Sequence, residues 1–157
     1  MSIQPQHATV LRGTVADLLA HKGTAVRAVG PDDTVYEAIL RMTQHRVGAL
    51  VVMEGPQLVG IVSERDYTRR VILEGRASKD TPVKTIMTAP VMSVTPSSSL
   101  LDCLRMANEH SIRHLPVVNE GTVVGVLSIG DLVRAVVEQQ ADAIARMQSF
   151  IGSDYPN

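Results

Sequence analysis

The chain has no tryptophan, one phenylalanine and three tyrosines, too few aromatics for a base-stacking platform. Neither charge predominates, since 15 Lys and Arg stand against 16 Asp and Glu for a net charge of −1. That balance leaves no broad basic surface to follow a phosphate backbone, and no nucleic-acid partner is expected. Cys103 is the single cysteine, which rules out an internal disulfide framework and a Cys-rich zinc site. No apolar run approaches the roughly 18 residues that span a bilayer, and residues 1–12 lack the apolar core of a signal peptide. The expectation is a cytoplasmic protein with no membrane partner.

What the 157 residues do contain is a repeat. Shifting the sequence by 65 aligns residues 31–71 with 96–136 without a gap. Identical pairs include Pro31/Pro96, His45/His110, Gly60/Gly125, Ser63/Ser128, Asp66/Asp131 and Arg69/Arg134. Upstream, Val15-Ala-Asp-Leu-Leu19 pairs with Val83-Lys-Thr-Ile-Met87 if the first copy carries three extra residues. Self-similarity at a fixed period marks two copies of one unit, each too small to bury much surface alone, so the copies should pack together.

Each copy reads as β-α-β-β-α. Short strands are expected at 25–29 and 91–94, ending at Pro31 and Pro96, which suit helix entry. Val35, Ala38, Ile39 and Met42 follow the i, i+3, i+4, i+7 spacing of an amphipathic helix, as do Leu100, Cys103, Leu104 and Ala107. Cys103 therefore reads as a small core residue. β-Branched runs at 49–53 and 58–63, and at 115–118 and 123–128, flank turn residues and read as hairpins. A second helix should follow each hairpin, at 64–73 and from 129 to about 151. The first copy should cover 14–74, the polar linker 75–82, the second copy 83–140, and a helix extension with its tail 141–157.

Each hairpin ends in Gly-Ile-Val-Ser-Glu-Arg-Asp (60–66) or Gly-Val-Leu-Ser-Ile-Gly-Asp (125–131). A strand running straight into a helix leaves backbone N–H groups open at the helix start, and these attract phosphate. The Gly allows close approach of a flat ligand. Ser63 and Asp66, like Ser128 and Asp131, fall at the N-cap and third helical positions, where a carboxylate can also take two vicinal hydroxyls of a ribose. Ser-x-x-Asp is equally a capping box, with side chains that merely satisfy the helix start. His45 and His110 sit at helix ends and read as carbonyl caps, and Tyr36 and Tyr67 as packing residues.

The doubled β-α-β-β-α order, the segments His-Arg-Val-Gly-Ala-Leu-Val-Val (45–52) and His-Ser-Ile-Arg-His-Leu-Pro-Val-Val (110–118), and the doubled Gly-x-x-Ser-x-x-Asp resemble a tandem cystathionine-β-synthase (CBS) domain pair, or Bateman module. The resemblance implies an α/β (α+β) fold of two CBS repeats packed with pseudo-twofold symmetry, commonly as a homodimer. It implies a non-catalytic regulatory sensor of adenine nucleotides (AMP, ADP, ATP, sometimes NAD(H) or S-adenosylmethionine) that signals to a regulated protein. It also implies that Asp66 and Asp131 bind ribose hydroxyls and that Ser63 and Ser128 face ribose or phosphate. One cleft would join Ser63, Arg65 and Asp66 to Thr88, Ala89, Met92, Ile112, Arg113 and His114 of the other copy. The second would join Ser128, Gly130 and Asp131 to Gly23, Thr24, Val26, Val47, Gly48 and Ala49.

On this reading the clefts differ. Arg65, Arg113 and His114 would surround Asp66 and favour compact AMP or ADP, whereas the Asp131 side would carry fewer charges and tolerate NAD(H). Two alternatives remain open: an enzyme that turns over its nucleotide, and an interaction module with vestigial clefts. The enzyme would need a nucleophile with its base, a carboxylate pair or metal ligands in one cleft. His110 and His114 have i, i+4 spacing, but the helix is expected to end between them.

Overall fold

The protein is described here by a computed structural model covering residues 11–152. Helix α1 (Val15–Lys22) is followed by strand β1 (Ala28–Val29), helix α2 (Val35–His45) and the hairpin β2 (Ala49–Glu54) and β3 (Gln57–Ser63). Helix α3 (Glu64–Tyr67) continues as a π-helical turn (Thr68–Ile72). The second half repeats the plan with α4 (Val83–Ile86), α5 (Leu100–Glu109), the hairpin β4 (His114–Asn119) and β5 (Thr122–Ser128), and α6 (Ile129–Gly152). Among the described residues no helix is long and apolar enough to cross a membrane.

The two sheets share one register. Ala49 faces Ser63 and Glu54 faces Gln57, while His114 faces Ser128 and Asn119 faces Thr122. Both hairpins shift register at equivalent places, between Val52 and Met53 and between Val117 and Val118. The first sheet has a third strand, β1, parallel to β2 and bonded through the Val51 N–H to the Arg27 carbonyl at 3.2 Å. The strand expected at 91–94 shrinks to a single bridge between Val94 and Val117. Its cause is local: the residue equivalent to Val51 is Pro116, which has no N–H to give to residue 92.

The helix expected at 64–73 also departs from plan. After α3 the bonding steps to i−5, the Leu73 N–H reaching the Thr68 carbonyl at 3.2 Å. The Thr68 hydroxyl meanwhile bonds back to the Glu64 carbonyl at 3.1 Å, a contact that bends helices. The linker is strapped down rather than loose. Thr81 is buried, the Val35 N–H bonds its carbonyl at 2.8 Å, and Lys79 stands over the Tyr36 ring at 5.0 Å. Tyr36 is thus a surface residue, while Tyr67 packs against the first core as expected.

The two halves exchange their first helices. Leu11, Val15 and Leu19 are buried in the second core with Leu100, Cys103, Leu115 and Leu127, while Val83 and Ile86 are buried in the first with Val35, Met42, Leu50 and Val62. The backbone bonds match: Val15 N–H to the Ser98 carbonyl at 2.9 Å and Ala16 to Pro96 at 2.9 Å are repeated by Val83 to Asp33 at 2.8 Å and Lys84 to Pro31 at 2.9 Å. This exchange corrects the role given to the strand glycines. A Cβ on Gly60 would lie 2.5 Å from Met87 Sδ, and one on Gly125 would lie 2.8 Å from Leu19 Cδ2. The missing side chains make room for the exchanged segments, not for a flat ligand.

Candidate functional site

Strand β3 turns into α3 at Ser63, whose extended backbone makes it the N-cap. The Ser63 hydroxyl accepts the Asp66 N–H at 3.2 Å, and Asp66 Oδ2 accepts both the Ser63 N–H at 2.9 Å and the Ser63 hydroxyl at 3.0 Å. The capping box is therefore real. It consumes one carboxylate oxygen, and Asp66 Oδ1 has no hydrogen-bond partner among the described residues.

That carboxylate borders a cleft of about 430 Å³ lined from both halves, within the range of small-ligand sites. Gly48, Ile61, Ser63, Glu64, Arg65, Asp66, Arg69, Arg70 and Thr88 form one wall, and residues 110–114 the other. Thr88 is pinned by reciprocal bonds with Ile61 at 2.8 and 3.1 Å. Arg65 Nη1 donates to the Ser111 carbonyl at 3.4 Å, closing across the cleft, and Arg70 Nη1 donates to the Ile86 carbonyl at 2.9 Å. The guanidinium groups of Arg69 and Arg113 have no such partner among the described residues. Four arginines against the carboxylates of Glu64 and Asp66 leave the cleft positive, which suits an anion. Ser111 holds φ at +53°, as Arg46 does at the equivalent point of the first half; such left-handed non-glycine residues gather at functional sites.

His114 lies where the halves meet. Burial, then the Lys22 charge, push its imidazole below the usual histidine range, Arg113 pushes the same way, and Asp131 and Asp66 oppose them without reversing the shift. A Cβ on Gly48 would stand 3.5 Å from His114 Nε2, so Gly48 lines the Asp66 cleft.

Asp131 is in a different state. Its Oδ2 accepts the Ser128 N–H at 2.8 Å and the Lys22 ammonium at 2.5 Å, with Arg134 3.8 Å from Oδ1. Lys22 also donates to the Val126 carbonyl at 2.6 Å. Burial pushes the Asp131 carboxyl up, but the Lys22 and Ser128 hydrogen bonds and the Lys22 charge outweigh it and hold it below the ordinary carboxylate range. The adjoining hollow of about 460 Å³ includes Arg12, Asp17, His21, Lys22, Arg134, Glu138 and Asp142. The expectation of a sparsely charged Asp131 side is corrected: Asp17, His21 and Lys22 come from α1 of the other half, and Arg134, Glu138 and Asp142 from α6 itself.

Of the residues assigned to the Asp66 cleft, the structure gathers Ser63, Arg65, Asp66, Thr88, Ile112, Arg113 and His114 there, while Ala89 and Met92 are exposed outside its lining. Of those assigned beside Asp131, Ser128 caps α6 through the Asp131 N–H at 3.1 Å. Gly130 lies in the first turn of α6, close to Arg134. Gly23 ends α1, Thr24 is exposed, Val26 lines a separate small hollow, Val47 packs on the first core and Ala49 is buried on β2. None of these five lines the hollow at Asp131. Sequence reasoning missed Arg69, Arg70 and His110 in the Asp66 cleft; the Arg69/Arg134 identity was the available signal. Burial pushes the Cys103 thiol up to about 11, helped by the Asp102 charge, which leaves it no thiolate to act as a nucleophile.

The family model for the CBS domain matches residues 15–72 and 83–138. The CBS domain-containing protein CBSX3, mitochondrial, of Arabidopsis thaliana is 40% identical over 151 residues, covering 90% of this chain and 73% of that protein. A protein with CBS domains from Burkholderia ambifaria is 45% identical with a TM-score of 0.78, over 82% of this chain and 96% of that one. A CBS domain protein from Pyrobaculum aerophilum complexed with AMP is 28% identical with a TM-score of 0.71, over 83% of this chain and 99% of that one.

Proposed function

The chain belongs to the CBS domain family, as a tandem pair, and from that premise we propose that it is a regulatory sensor of adenine nucleotides that leaves its ligand chemically unchanged. The observation that carries this reading is the open Oδ1 of Asp66 beside a cleft with four arginines. The carboxylate takes the ribose hydroxyls, the guanidinium forks take phosphate oxygens, and Ile61 and Ile112 offer aliphatic faces to the adenine. The AMP complex of the Pyrobaculum relative supports the ligand class. At Asp131 a ribose must compete with Lys22, so the Asp66 cleft fills first. ADP and ATP remain ligands of the same site, with Arg69 and Arg113 available to further phosphates. The cleft draws on both halves, so occupancy favours one arrangement of them over others, and this differential affinity is the signal passed to a regulated protein. A homodimer is its working form.

Calorimetry with AMP and 2′-deoxy-AMP tests the assignment. Asp66→Ala is expected to weaken AMP tenfold or more, since a charge-assisted hydrogen bond contributes about 1.5–3 kcal/mol, and wild-type protein should prefer AMP to its deoxy form. If Asp66 serves only as a cap, the variant loses about 1 kcal/mol of stability while AMP binds unchanged and both nucleotides bind alike. Product formed on incubation with ATP and Mg²⁺ would overturn the non-catalytic reading.

A further inference from the structure

Helix α6 carries two apolar stripes, and only one of them is used. Ile129, Leu132, Ala135 and Val136 face the second core, and Gln139 ends that stripe by exchanging bonds of 2.8 Å with the Arg12 backbone. The other stripe runs along the outside: Val133, Val137, Gln140, Ile144, Met147 and Ile151. Its apolar members are 51% (Val133) to 65% (Met147) exposed, and every residue of 140–152 is exposed. Helices of about a dozen residues are marginal in water without a packed face, and among the described residues nothing packs on this outer stripe of the 24-residue helix.

The spacing of the outer stripe is 4, 3, 4, 3, 4, the a/d repeat of a coiled-coil seam rather than the wider stripe of a helix lying on a globular core. The a positions are Val137, Ile144 and Ile151, all β-branched, and the d positions are Val133, Gln140 and Met147, of which Gln140 and Met147 are unbranched. β-Branched a residues with an unbranched apolar d favour two parallel strands. Gln140, the one polar residue of the seam, would meet its own copy in a parallel pair, where each amide supplies the donor and acceptor the other needs. Of the charged residues along this part of the helix, Glu138, Asp142 and Arg146 fall at b, f and c, away from the seam, so an in-register pair does not press their like charges together.

We propose that α6 pairs with α6 of a second copy of this chain as a parallel, in-register two-stranded coiled coil along Val133, Val137, Gln140, Ile144, Met147 and Ile151. The proposal rests on the reading of the chain as a homodimer and assigns the surface that makes it.

Light scattering at micromolar concentration tests it, with AMP calorimetry on the same samples. Wild-type protein should have at least twice the monomer mass, and Ile144→Glu with Met147→Glu should halve it while AMP affinity is unchanged. Both sites are exposed, so the variant keeps its fold, which circular dichroism checks. Under mild oxidation Met147→Cys should give a disulfide-linked dimer, and the wild type should not, because Cys103 is buried. A monomeric wild type overturns the homodimer and this pairing together, as it would if another protein covered the stripe. A wild-type dimer whose mass survives the double substitution, or a Met147→Cys variant that does not cross-link, overturns the pairing alone.

Discussion

Asp66 and Asp131 occupy equivalent positions and are held differently, and the difference comes from a residue far away in sequence. Lys22 donates to Asp131, whereas Asp66 has only its own cap. Lys22→Met therefore leaves a nearly buried carboxylate without its hydrogen-bonded cation, with Arg134 3.8 Å from the other oxygen. The loss should be about 1 kcal/mol at neutral pH, kept modest because the Lys22 side chain is itself 38% exposed and screened by water. The sign of the pH dependence follows from the depressed Asp131 carboxyl. A carboxylate held below its unfolded value stabilises the fold above that value, and the contribution disappears as pH falls through the folded one. Without Lys22 that contribution shrinks, so the variant should be less stable than wild type at neutral pH and should approach it as pH falls below the carboxylate range. Urea midpoints at pH 7 and pH 3 measure this: the gap between the two proteins should be present at pH 7 and close at pH 3, and equal midpoints at pH 7 would mean that the ion pair contributes nothing in solution.

At the level of elements, what could be read in the sequence was what is decided locally. The Ser63 and Ser128 caps, the hairpins and the apolar faces of α2 and α5 depend on residues a few positions apart, and all stand where expected. Arg65, Arg113 and His114 reached the Asp66 cleft through the resemblance, because their approach depends on how the halves pack. The shortfalls have physical causes. The 91–94 strand fails at Pro116 in a neighbouring strand, the 64–73 helix loosens after the Thr68 back-bond, and the strand glycines face exchanged segments that no local spacing reveals. Gly60→Ala makes the last point measurable. The new methyl would meet Met87 Sδ and also the Thr88 carbonyl at 3.2 Å, which is fixed to β3, whereas at Gly125 it would meet only the Leu19 side chain. Overpacking costs about 1–3 kcal/mol. The urea midpoint should fall further for Gly60→Ala than for Gly125→Ala, and only the former should also weaken AMP binding by shifting Thr88. Equal midpoints would argue that Met87 moves aside freely.

For the whole molecule, the exchange of first helices means that neither half encloses its own core. Residues 11–79 expressed alone would lack Val83 and Ile86, and residues 80–152 would lack Leu11, Val15 and Leu19. Each fragment should give poorly dispersed NMR spectra alone and fold when the two are mixed, while the intact chain unfolds in a single transition. A cooperatively folded isolated fragment would show the exchanged helices to be dispensable. A solitary copy of this unit could complete itself only by trading its first helix with a second molecule, at a cost set by how dilute that molecule is. Fusing two copies turns the trade into an intramolecular one. The strapped linker then acts as a tether that fixes the local concentration of each half near the other, in the millimolar range for a short connection. The folding of this chain is thereby freed from the dilution that a pair of separate copies would face.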